Sequence, residues 1–94
     1  MLLRSTVSPH SDDYATNRAA MQALVDELNE RQAKARAGGG ERGAAKFRAA
    51  GKLLPRERVE LLLDPATPFL ELSPLAAEGM YNGESPAASQ IIGI

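Results

Sequence analysis

The sequence has no cysteine and a single histidine, His10, and these two absences remove whole classes of chemistry. Without thiols there is no disulfide, no thiolate nucleophile and no cysteine metal site, and one histidine cannot form a cluster. Metal binding is therefore not expected. Aromatic residues are scarce as well: Trp is missing, and aromatics make up 4% of the chain. Much of the 44% hydrophobic content is Ala, whose burial removes little area from water, so 94 residues of this composition are poorly equipped to build a self-sufficient core. No apolar run approaches the roughly 20 residues needed to cross a bilayer, so no membrane partner is expected.

What the chain does have is a segregated charge pattern. The net charge is only −1. Residues 31–58, however, are dominated by Lys and Arg, while residues 1–30 are mainly acidic and residues 59–94 contain no Lys or Arg at all. A basic band thus lies between two acidic flanks. It could meet a phosphate-bearing substrate, an acidic partner or nucleic acid. No aromatic platform or nucleic-acid module accompanies it, which makes nucleic acid the weakest option. A solvated or subunit-contacting helix face is the first reading.

The stretch Gly51–Tyr81 organises the rest. Pro55 suits a first helical position, where its missing N–H costs nothing, and the spacing predicts a helix over Pro55–Leu63. Val59, Leu62 and Leu63 would share its buried face, widened by Leu61, with Arg56 and Glu60 paired on the exposed one. Pro65 and Thr67-Pro68 stop the helix. Phe69–Leu72 is apolar and bracketed by Pro68 and Pro74, which predicts an edge or entry strand. Leu62, Leu63 and Phe69 are the expected anchors.

Upstream, Met1–His10 has no periodicity and reads as an extended arm. Ser11 is a candidate N-cap, with Asp12 and Asp13 placed to interact with the helix macrodipole. Tyr14, Met21, Leu24, Val25, Leu28 and Ala35 then recur at helical spacing, predicting a helix from Asp12 to about Arg36 with a docking face. Gly38-Gly39-Gly40 ends it. The triplet lacks the GK[ST] ending of a phosphate loop and reads as a helix terminus and hinge. A second helix is expected from Glu41 to Ala50, with Phe47 its only large apolar group. Downstream, a helical turn within Leu75–Tyr81, a turn at Asn82-Gly83 and a strand over Ser89–Ile94 are expected. That strand reads as cut short, so the chain reads as a fragment.

Candidate catalytic groups are few. His10 lies in the arm with no acidic or nucleophilic partner at catalytic spacing. Glu57 and Glu60 have basic neighbours and point to ion pairing rather than acid–base work. Glu71 shares a strand face with Phe69; if buried it needs a partner, and an Arg of the preceding helix is the candidate. No nucleophile–base pair or glycine-rich oxyanion loop is visible. No catalytic or metal residue is assigned, and substrate-binding residues are left open.

The run GKLLPRERVELLLDP, then PFLELSPLAAEGMYNGE and QIIGI, resembles the amino-terminal part of the carboxyltransferase (β) subunits of biotin-dependent acyl-CoA carboxylases. FLELSPLAA and GMY look most like the 3-methylcrotonyl-CoA branch, and the likeness extends back through Tyr14, Asn17, Met21, Leu24 and GGGE at Gly38–Glu41. Phe47 and Ala50 depart from it, standing where relatives commonly carry His and Arg. The resemblance implies an α+β fragment, mostly helical, whose amino-terminal helices lead into the first strands of a crotonase-like domain. The implied organisation is an arm at 1–10, a helical lead-in with a glycine hinge at 11–50, and the start of the acyl-CoA carboxyltransferase domain at 51–94. It further implies carboxyl transfer from carboxybiotin, borne by a biotin carboxylase/biotin carrier (α) subunit, to 3-methylcrotonyl-CoA in leucine degradation, by a homo-oligomer of β subunits. Biotin would not be bound by this segment. Geranyl-, propionyl- or acetyl-CoA are alternative substrates, and a helical adaptor that uses the basic band is the non-enzymatic alternative. The leader MLLRSTVSPHSDD has one Arg and turns acidic at Asp12, a poor match to a targeting peptide, so a bacterial cytoplasm is expected ahead of a mitochondrial matrix.

Overall fold

The computed structural model describes all 94 residues, Met1–Ile94. The elements are α1 (Asp12–Arg36), α2 (Gly40–Ala49), α3 (Pro55–Leu62), β1 (Glu71–Leu72) and β2 (Ile92–Gly93), with short 3-10 turns at Met80–Gly83 and Pro86–Ser89. The fold is α+β and mostly helical. No helix is long and apolar enough to cross a membrane. Met1–Glu30 and Arg31–Ile94 form two separate compact units.

In the first unit the arm is exposed and irregular, and α1 starts where the sequence places it. Ser11 Oγ accepts a hydrogen bond of 3.2 Å from the Tyr14 N–H, satisfying one of the free donors of the first turn. Met21, Leu24, Val25 and Leu28 form the expected stripe, yet each is at least 40% exposed.

The second unit begins with the last turn of α1, where Ala35 is buried. The next helix, α2, ends in a Schellman motif. The Gly51 N–H donates to the Arg48 carbonyl (2.9 Å) and the Lys52 N–H to the Phe47 carbonyl (2.9 Å), with Gly51 left-handed at φ +71°. Gly51→Ala is expected to cost about 1–2 kcal/mol, the penalty of a Cβ in that conformation. An unchanged thermal midpoint and helical circular dichroism would contradict the motif's role.

Helix α3 starts at Pro55 as expected and ends one residue early, because Leu63 has already turned extended (φ −80°, ψ 152°) ahead of Pro65. Its faces differ from the sequence reading. Arg56, Val59 and Leu63 are partly buried, whereas Leu62 is 84% and Leu61 73% exposed. The inward face is thus set by Arg56, which has a partner across the unit, and the apolar run is rotated outward. Leu63 and Phe69 remain partly buried, but Leu62 anchors nothing within these residues.

The predicted strands are shorter than expected and pair with each other. Antiparallel register places Glu71 opposite Gly93 and Leu72 opposite Ile92. Leu70 and Ile94 extend the ladder by exchanging bonds of 2.9 and 3.1 Å. Ser89 belongs to a 3-10 turn rather than to the strand. Because side chains alternate, Leu70, Leu72, Ile92 and Ile94 share one exposed face, while Phe69, Glu71, Ile91 and Gly93 share the more protected one. Between the strands, Asn82 and Gly83 adopt the positive φ that their turn signal predicts.

The chain buries little of itself. Only Ala35 and Ala87 are buried apolar residues.

Candidate functional site

Three charged residues of the second unit, Arg36, Arg56 and Glu71, meet at the end of α1. Glu71 is brought to the protected face of β1 by strand alternation, and its side chain is only 9% exposed. Arg56, one residue after the helix-starting Pro55, meets it with two parallel bonds: Nη2 to Oε1 at 2.5 Å and Nε to Oε2 at 3.3 Å. This is the bidentate geometry that guanidinium and carboxylate favour. The remaining nitrogen, Nη1, donates to the main-chain carbonyls of Ala35 (3.2 Å) and Arg36 (3.3 Å). These belong to the last turn of α1, where cations are favoured by the macrodipole; the Ala35 carbonyl also accepts the Gly38 N–H at 3.2 Å, and the Arg36 carbonyl is one of those left without a helical donor. Arg36 Nε lies 3.9 Å from the same carboxylate. One arginine therefore joins α1, α3 and β1.

A second pair, Arg48 Nη2 to Glu57 Oε1 at 2.7 Å, links α2 to α3. Glu57 Oε2 also accepts the Leu54 N–H at 2.8 Å, closing the start of α3. The Arg48 hydrogen bond, followed by that from the Leu54 backbone, holds the Glu57 carboxyl below its ordinary value near 4.5. A depressed carboxyl pKa means that the folded form binds its proton more weakly than the unfolded form. The resulting stabilisation is complete above about pH 4.5 and is lost as pH falls through the depressed value. Arg48→Ala is expected to move the Glu57 titration, followed by carboxyl NMR shifts, back toward 4.5. An unmoved midpoint would show that the pair is not populated in solution.

A third pair, Arg31 to Glu78 at 3.1 Å, is about half exposed and contributes little by itself. Together these contacts show where the charge segregation leads. Glu71 and Glu78 come from the acidic flank, and they neutralise arginines of the basic band. Glu57 behaves as the sequence suggested and ion-pairs; Glu60 has no such partner. Glu71 finds its partner in the preceding helix, as expected, which replaces the predicted Arg56–Glu60 pair. The capping of α1 by Arg56 and the Arg31–Glu78 contact had no local signal, since both join residues more than 15 positions apart. His10 sits in a turn of the exposed arm.

Two open clefts adjoin this network. One of about 580 Å³ is bordered by Arg48, Lys52, Glu57 and Glu60. Lys52 Nζ stands 5.8 Å from the centre of the Phe47 ring beside it. The other, of about 390 Å³, lies between the end of α1 and the 74–87 connection and carries Arg31, Lys34 and Glu78. Neither brings a nucleophile against a base. The chemistry visible in these residues is that of a tether: guanidinium groups neutralise carboxylates and cap a helix, and so hold three elements in register.

No family model matches the chain. Individual curated proteins do. It is 61% identical over 71 residues, 76% of its length, to the biotin-dependent 3-methylcrotonyl-coenzyme A carboxylase beta1 subunit of Mycobacterium tuberculosis. It is 41% identical over 93 residues, 99% of its length, to the mitochondrial methylcrotonoyl-CoA carboxylase beta chain of Arabidopsis thaliana. With the propionyl-CoA carboxylase beta chain of Cereibacter sphaeroides the likeness is 52% over 44 residues, 47% of the chain. The chain spans 13% of the first of these relatives, 16% of the second and 9% of the third.

Proposed function

Since the chain is homologous to a segment of the β subunits of biotin-dependent acyl-CoA carboxylases, we propose that the protein it belongs to is the carboxyltransferase subunit of such an enzyme, acting on 3-methylcrotonyl-CoA in leucine degradation. The reach of the likeness carries this reading: methylcrotonyl-type subunits match it over 71 and 93 residues, and the propionyl-type chain over 44. In the proposed organisation, 1–10 is an arm, 11–50 a helical lead-in, and 51–94 the opening of an amino-terminal domain with a crotonase-like fold. The partners are a biotin carboxylase/biotin carrier subunit, which presents carboxybiotin, and further β subunits. A bacterial cytoplasm is the proposed setting, supported by the higher identity to the mycobacterial relative.

Carboxylation at carbon requires an enolate of the acyl thioester, which backbone N–H donors stabilise as in an oxyanion hole. We place those donors outside residues 1–94. The segment itself serves as framework, a role supported by the internal pairing of Arg31, Arg48 and Arg56. The full-length subunit, combined with its biotinylated partner, ATP and bicarbonate, is expected to carboxylate 3-methylcrotonyl-CoA in preference to propionyl-CoA. A tenfold preference for another acyl-CoA in kcat/KM would overturn the substrate assignment. The isolated 94 residues are expected to be inactive, and any carboxylation by them would overturn the framework role.

A further inference from the structure

We draw no further inference here: the strongest candidate, the exposed apolar stripe of Met21, Leu24, Val25 and Leu28 along α1, carries nothing because no feature of the structure shows what covers it.

Discussion

Arg56→Ala is expected to be the most damaging single change among residues 31–94, lowering stability by about 3 kcal/mol. That is the lower end of the range for removing one partner of a buried ion pair, chosen because a quarter of the Arg56 side chain still faces water. Two losses combine. Glu71, 9% exposed, is left with Arg36 at 3.9 Å as its nearest cation, while the Arg36 carbonyl loses its donor and the Ala35 carbonyl keeps only the Gly38 N–H at 3.2 Å. Arg56→Lys should recover only part of the loss, since an ammonium cannot engage both carboxylate oxygens and two carbonyls at once. The paired change Arg56→Met with Glu71→Leu separates the two effects. Replacing both partners removes the stranded charge, so the residual deficit reports the capping of α1. Thermal unfolding and amide exchange over residues 35–38 measure it. If Arg56→Ala leaves both unchanged, the tether does not hold these elements.

Gly93→Val is expected to break the two-stranded sheet, and Gly93→Ala to strain it by about 1–3 kcal/mol, the usual range for overpacking. A Cβ at residue 93 would lie 2.5 Å from the Leu70 carbonyl oxygen and inside the Phe69 ring. The ring could move, but the carbonyl cannot, because it accepts the Ile94 N–H at 3.1 Å. Adding Phe69→Ala to Gly93→Ala should therefore relieve only part of the strain. The double-mutant cycle yields the coupling directly, with exchange of the Leu70 and Ile94 amides as readout. Full rescue by Phe69→Ala would mean that the ring alone sets the requirement for glycine. Unperturbed exchange in Gly93→Ala would show that the register Glu71 to Gly93 is wrong.

The helices were legible because their signals are local. Ser11 caps α1, Pro55 starts α3 and Gly51 ends α2, each acting within four residues of its position along the chain. The Glu71 partner was legible for a different reason: a carboxylate on a protected strand face must be neutralised, and the adjacent helix is rich in Arg. Which arginine answers it was not legible. Periodicity alone assigned Arg56 to solvent and Leu62 to the interior, and the structure reverses both. The 73–89 connection was similarly opaque. Ser73, Ala77, Tyr81, Ala87, Ala88 and Ser89 all take positive φ, a conformation that only the Asn82-Gly83 pair advertised. Most of the connection's backbone bonds close tight turns, and one, the Ala88 N–H to the Ala76 carbonyl at 2.9 Å, spans the connection.

By itself, then, the sequence determined the helix boundaries to within one residue, the breaks between elements and the separation of charge into a basic band with acidic flanks. Capping, proline geometry and glycine conformation act over a few residues and need no partner elsewhere. The tertiary structure alone decided the pairing of β1 with β2, the inward turn of Arg56 and the choice of Glu78 as a counter-charge. Those choices depend on which groups meet across 15 to 47 positions of chain. Over such separations the cost of leaving a carboxylate or a helix-end carbonyl unsatisfied outweighs the apolar pattern of a single eight-residue helix.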